Sequence, residues 1–443
     1  MGGGGAAASQ TISIFPYFVG ESTAGDPATT NVGNSFVTFV STGEGLRPLA
    51  VATEYTLNSA AITGNLTANV RFTATAAITS TPASINSLVL DSAAAIALSG
   101  SASSMEITAG AILATGAGAH VISGVSGITT GGSRPYYVYT TTAAGSLTLT
   151  TPLTTAQPLV KSGAGALILG SASNAFTDIH FNQGSVQADA LDKLGAGALN
   201  FFGGTLRFAA AFDPSASGKV VTFGTGGGTF NTNAFNVVVA NSIGNAGTGG
   251  FTKAGNGNLT LRASASYGGG TLVSGGQVFL ANAATLAGGS SLEISGGTVD
   301  LLGNSQSGAN ALGAVTVAGG SLLASGRTLA NAGTLAATSF SFGYDNGAVA
   351  DSVVTAKLSG ASLTKVSPTR TLTLWNANTF TGTVTHREGT LYLNNAGAIG
   401  GATTLEFAAA TLFDNRSDAA FTVASNPTIA FSTAISGTLG LQF

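Results

Sequence analysis

Cysteine is absent from the 443 residues, so no disulfide braces this chain and its stability must come from packing alone. Charge is nearly as scarce. Fifteen basic and 18 acidic residues make up 7% of the sequence, where an ordinary protein carries about a quarter. With a net charge of −3 there is no basic footprint for nucleic acid. No apolar run reaches the ~18 residues that a membrane helix requires. The opening stretch, MGGGGAAASQ, has neither the basic region nor the apolar core of a signal peptide. Residues 1–10 are expected to be a flexible leader, with any secretion signal lying outside this chain. A surface dressed in Ser, Thr, Asn and Gly stays hydrated through neutral groups and, lacking like-charge repulsion, can pack side by side.

What the chain does have is glycine, 64 residues of it, and a short apolar strand that returns many times. Over 253–302 the strands LTL, TLV, QVFL, SLEI and TVDL each follow a Gly-rich or Asn-rich turn. Their starts lie about a dozen residues or fewer apart, which leaves no room for a helix. The same order recurs from Lys161 and from Lys365. Counting from each lysine, an aromatic stands at +15 (Phe176), +14 (Tyr267) and +15 (Phe380). A strand-opening glycine follows at +23 (Gly184), +23 (Gly276) and +24 (Gly389), then a further turn at Leu194, Leu286 and Ile399. Units that cannot bury an apolar face alone stack and share one core. Glycine pairs ending at 204 and 228, and at 270, 297 and 320, give steps of 24, 27 and 23 residues, the size of one β-helix coil. Alternation such as Thr371-Leu372-Thr373-Leu374 sends aliphatics inward and threonines outward.

The sequence therefore predicts an all-β chain, a right-handed parallel β-helix (β-solenoid) over residues 61–443. Roughly 20 coils would make a rod of about 100 Å. Phe176, Tyr267 and Phe380 are expected in the core at equivalent places in three coils. Lys161, Lys253 and Lys365 are expected to lie outward at strand starts, in weak contact with Asp or Asn of a neighbouring coil.

The succession K-x-G-x-G-x-L-x-L, N-T-[YF]-x-G and S-G-G-T-[LV] resembles the autotransporter-associated β-strand repeat. Asn378-Thr379-Phe380-Thr381-Gly382 matches most closely, then Ser295-Gly296-Gly297-Thr298-Val299. The copy at 365 departs at its start, with Ser367-Pro368-Thr369 where glycines are usual. The three copies cover about a third of the chain, and the motif speaks for architecture more than activity. The resemblance implies a passenger-type β-helix at a bacterial surface or outside the cell. Two roles follow from it. One is a structural or adhesive element, a subunit or segment of a surface fibre or matrix. The other is the passenger of an autotransporter adhesin that binds glycans or neighbouring cells.

A polysaccharide-degrading enzyme is the third and weakest reading. A glycosidase needs two carboxylates a few ångströms apart. Here the acids stand singly; Asp189 and Asp192 are the closest pair, and Asp192 sits in a corner beside Lys193. The histidines are His120, His180 and His386. Asp178 and His180 are two apart on a strand, and His386-Arg387-Glu388 is the densest charged spot. Neither a triad nor a zinc site is spelled out by these residues, so no catalytic, metal-ligating or cofactor-binding residue is predicted. The glycine clusters 224–228 and 268–270 lack the Walker lysine and the following helix, and read as corners.

Residues 11–60 crowd Phe15, Tyr17, Phe18, Phe36 and Phe39 among Pro16, Pro27 and Pro48. They are read as an N-terminal cap or connecting segment, the alternative being an aromatic surface that docks on a partner. Residues 123–141 are read as an insert, either covering the coil flank or presenting Arg134, Tyr136, Tyr137 and Tyr139 to a sugar or a protein. A β-helix ends in unpaired backbone groups that template another strand unless covered. Ile12, Ile14, Phe15, Tyr17 and Phe18 at one end, and Leu439, Leu441 and Phe443 at the other, are thus candidates for head-to-tail self-assembly into a fibre. Surface polysaccharide is the other expected partner.

Overall fold

The computed structural model describes residues 5–21, 33–40, 45–58, 65–79, 83–100, 104–302, 304–317, 321–323, 334–342, 351–366, 368–407, 412–417 and 428–431. The chain is all-β, a parallel β-solenoid of about 14 turns. The expected count of roughly 20 coils over 61–443 was only approximate, because some coils take extra residues, as between Leu322 and its register partner Val354. Where the repeats are tight, Leu159 pairs with Ile179 and Ile179 with Leu199, which is 20 residues per coil.

Two compact units divide the chain: Met1–Phe212 with Lys219–Gly228, and Asp213–Gly218 with Thr229–Phe443. In the first, one parallel sheet runs from Thr56–Leu57 through Asn69–Phe72, Ala83–Asp91, Met105–Thr115, Tyr136–Thr140, Leu159–Ser162, Ile179–Phe181 and Leu199–Phe201 to Val221–Phe223. A second runs from Ala76–Ile78 to Thr205–Phe208. The second unit has the same plan, with ladders starting at Val237–Val239 and Phe251–Ala254 and a short third one at Lys357–Gly360. Strands alternate buried and half-buried positions, so Leu159, Ile179, Leu199 and Val221 stack inward coil upon coil. Two positions further along, Phe181, Phe201 and Phe223 form the next inward column, with Phe181 and Phe201 face to face and their centroids 4.1 Å apart. Such burial removes about 1.5–3 kcal/mol worth of apolar surface per large side chain from water, and it repeats with every coil.

Residues 123–141 are not a loop laid over the flank. Ile128–Thr130 pairs with Met105–Ile107, and Tyr136–Thr140 pairs on one side with the Ala111–Ala114 stretch and on the other with Leu159–Ser162. Those two stretches are strands of the sheet.

The N-terminal residues form an antiparallel meander, Phe15–Gly20, Ser35–Val40 and Gly45–Pro48. It packs on the outer face of the first sheet, where Val89, Leu113 and Tyr139 stand in register on successive coils. Those three bury against Ile14, Phe36, Leu49 and Tyr55. A sheet covered on both faces needs apolar residues at both parities, and Ala83–Asp91 is buried at eight of its nine positions. Ahead of the meander, Gln10 and Ile12 offer their carbonyls to Asn69, whose backbone N–H and Nδ2 both donate at 2.9 Å. The fully buried Glu54 carboxylate pairs with Arg47 at 2.6 Å and accepts from Ala8 and Ala50 N–H. Its pKa is lowered: burial raises it, and the Arg47 and backbone hydrogen bonds more than offset that. Among the described residues no helix is long and apolar enough to cross a membrane.

Candidate functional site

The repeat lysines are the sharpest departure from expectation. Lys161, Lys253 and Lys365 point inward, at most 2% exposed. Parity explains why. In Leu159-Val160-Lys161, Phe251-Thr252-Lys253 and Leu363-Thr364-Lys365 the first residue faces the core, so the third must as well. Lys219, two residues before inward Val221, obeys the same rule and is also buried.

Each ammonium ends at the corner of its own coil and reaches the corner of a neighbour. Lys161 Nζ donates to Ser162 O at 2.8 Å, Gly163 O at 2.7 Å and Gln183 O at 3.2 Å. Lys253 Nζ donates to Ala254 O at 3.0 Å, Gly255 O at 2.8 Å and Gly275 O at 3.0 Å. Lys365 Nζ donates to Val366 O at 2.7 Å and Glu388 O at 3.1 Å. The far acceptors stand at +22, +22 and +23, each just before Gly184, Gly276 or Gly389. The regular lysine-to-glycine spacing is therefore the reach of one side chain between two stacked corners. Gly163 and Gly255 adopt φ +79, and a Cβ there would sit 2.5 Å from the preceding coil. Lys219 reaches the other way, to Leu194, Gly195 and Gly197 carbonyls.

Burial pushes Lys161 down to about 7 and Lys253 and Lys365 to about 8, while Glu388 and Asp351 pull Lys365 upward. The triple carbonyl acceptance works against burial, because only the ammonium carries three N–H donors. His386 occupies the inward position in register above Lys365, with Nε2 donating to Gly389 O at 3.1 Å. Burial, aided by the Lys365 charge, pushes it down to about 4.

The core aromatics lie where expected in depth: Phe176, Tyr267 and Phe380 are 0%, 3% and 1% exposed. Two residues before the first and third stands an asparagine, Asn174 or Asn378, whose bridging role the motif alone does not reveal. Asn174 accepts from Leu153 N–H of the coil before and donates to Lys193 O of the coil after, both at 2.9 Å. Asn378 does the same between Leu358 and Ala398, at 2.8 and 2.7 Å. The side-chain amide stands in for a peptide group where the third side of the coil lacks a continuous strand.

The remaining polar candidates are dispersed. His120 is buried, its Nδ1 accepting from Ile96 N–H and its Nε2 donating to Thr115 O. Asp178 accepts from Ala198 N–H, whereas His180 lies against the Phe202 ring. Asp189 pairs with Lys193 rather than Asp192. Among the described residues no group of three His, Cys, Asp or Glu could hold a metal.

The Arg134 segment is split by burial. Tyr136 is inside the solenoid, its hydroxyl donating to Ile128 O and accepting from Thr155 N–H, both at 2.7 Å. Tyr139 is under the meander, edge-on to Phe36. Only Arg134 and Tyr137 stay at the surface, and Tyr137 meets Tyr17 of the meander edge-on at 6.0 Å. Of the N-terminal candidates, Ile12 and Ile14 are buried and Phe15 is partly so, while Tyr17 and Phe18 are 48% and 49% exposed. Leu439, Leu441 and Phe443 lie outside the described residues.

Segments 159–188, 251–278 and 369–386 match the family described as the passenger-associated-transport-repeat. The first two contain both the lysine and its far acceptor; the third begins after Lys365 and ends at His386. No curated protein and no solved structure matches the chain.

Proposed function

We propose that this chain, a parallel β-solenoid with three segments that match the passenger-associated-transport-repeat, is a secreted or surface-displayed passenger-type protein, a non-catalytic adhesive and structural element of a bacterial surface, and that it makes contact through the outer side of the N-terminal meander. The observation that carries this reading is the exposure of Tyr17 (48%), Phe18 (49%), Phe39 (58%) and Leu46 (61%) on that small sheet. Phe39 and Leu46 face each other across paired strands, and Tyr17 and Phe18 touch edge-on at 5.0 Å. In a chain whose outward positions are mainly Thr, Ser and Asn, these two pairs of exposed apolar side chains on one small sheet favour an interaction surface there.

Self-association would use the same face rather than the first coil, because Gln10 and Ile12 already satisfy Asn69 there. The test is a double substitution, Phe39→Ser with Leu46→Ser, in the full chain. Attachment to bacterial cells and sedimentation behaviour should both be measured. Loss of attachment with an unchanged solenoid spectrum supports the reading, and undiminished attachment and assembly would sink it.

A further inference from the structure

Beside the meander a groove of about 220 Å³ opens between the two elements, lined by Pro16, Tyr17, Ala109, Arg134, Pro135 and Tyr137. It is smaller than the ~300 Å³ at which drug-sized pockets begin, so it suits one ring of a longer molecule with the rest running outside. Its walls are two tyrosine rings, two prolines and a methyl group. Its one charge is a cation, and no carboxylate lines it.

Among the described residues the acceptor of Arg134 is Thr108 O, met by Nη1 at 3.2 Å. That contact fixes one arm of the guanidinium and leaves the other N–H donors for a ligand. The Tyr137 hydroxyl is held above its ordinary range by burial and by Tyr17, so it remains a neutral donor. The tyrosines carry an apolar face and a polar tip, the combination that meets the C–H face of a pyranose while reaching its hydroxyls. A guanidinium is matched to a carboxylate by its paired parallel donors.

We infer that this groove is a subsite for one sugar ring of an acidic polysaccharide, with the pyranose against Tyr17 and Tyr137 and its carboxylate on Arg134. The inference deepens the adhesive reading and rests on it, by naming the class of surface molecule held. A nucleic acid strand would also stack on aromatic rings, but it needs a track of cations, and here there is one in a chain of net charge −3.

The experiment is affinity electrophoresis of the full chain through gels containing polygalacturonate, alginate, dextran or a single-stranded oligonucleotide. The two polyuronates share a ring carboxylate and differ in the sugar, so retardation by both assigns the carboxylate and retardation by one assigns the ring as well. Dextran and the oligonucleotide should give no retardation. Arg134→Gln should weaken polyuronate binding about tenfold or more, and Arg134→Lys less, since the charge persists without the fork. Tyr17→Ala should also weaken it, while Tyr17→Phe keeps most of the binding. Equal retardation by dextran, binding of the oligonucleotide, or full binding by Arg134→Gln would overturn the inference. If the protein attaches to cells through Phe39 and Leu46 but no polyuronate retards it, the groove inference falls and the adhesive reading stands. If polyuronates bind through Arg134 while attachment to cells is absent, the reverse holds.

Discussion

Two stretches of one sheet in the first unit behave differently. In the coils over 83–140 the strands are buried on both faces, because Val89, Leu113 and Tyr139 carry the meander on their outer side. In the next coils Ser162 follows Tyr139 in register, the outer face turns polar and the strands alternate strictly. The inner column of aliphatics is much the same in both. A solenoid can therefore change what it holds outside without changing how it stacks inside, and the outward parity alone decides which.

The largest expected effect lies in what the two stretches share. Phe176→Ala should cost about 3–5 kcal/mol, since the ring is fully buried and Gly195 packs close against it. Nearest-neighbour stacking should confine the damage, so hydrogen exchange should quicken near that coil and little elsewhere. Uniform loosening of the first unit would count against a stacked core.

Next comes the feature that separates them. Leu113→Ala removes the middle of the outer ladder and should cost about 2–4 kcal/mol, felt mainly by the meander. Limited proteolysis should then cut within residues 15–48 first, leaving the coils that carry Leu159, Ile179 and Leu199 protected. Cleavage that begins in those coils would mean that the meander and solenoid are one cooperative unit.

A smaller effect is expected at the bridging amide. Asn174→Ala leaves Leu153 N–H and Lys193 O without partners and should cost about 1–3 kcal/mol.

The lysine and histidine positions predict a pH dependence. Free lysine titrates near 10.5 and these lysines at about 7 to 8, so between those values the unfolded chain binds more protons than the folded one. The lysines' contribution to stability should therefore be full near 10.5, decline as the pH falls toward 7, and flatten below that, while the buried tyrosines, whose hydroxyls burial holds above their ordinary range, withdraw stability as the pH rises beyond 10. His386 adds a second decline from 6.5 toward 4, because its folded form also resists protonation. Urea midpoints across this range should show both. Lys161→Met should flatten the alkaline decline, and a midpoint that rises as the pH falls from 10 to 7 would refute the buried amines.

Much of this was legible in the residues. The repeat register, the parallel coils and the burial of Phe176, Tyr267 and Phe380 follow from hydrophobic alternation and glycine spacing. The inward lysines were legible too, since Leu159-Val160-Lys161 fixes their parity, but charge normally outweighs parity when a side chain is placed. Nothing local in Tyr136-Tyr137-Val138-Tyr139 tells which tyrosine meets the core, the meander or water. That depends on the meander more than a hundred residues earlier in the chain, which packs on the outer face of this strand, a long-range contact invisible to periodicity. The bridging role of Asn174 and Asn378 was not legible, although Asn378 opens a repeat motif, because each acts on coils about 20 residues away on either side.

The reach of the lysines has a bearing on the order in which coils can settle. Lys161, Lys253 and Lys365 each find a donor's partner one coil further toward the C-terminus, at Gln183, Gly275 and Glu388. If the solenoid winds from its N-terminal side, each of these amines waits inside a half-closed corner until the next coil arrives. If it winds from the C-terminal side, the waiting carbonyl is already in place and the amine docks on arrival. Lys219, whose three acceptors all lie behind it, has the opposite preference. The chain thus carries a polarity of winding, written in which neighbour each buried amine leans upon.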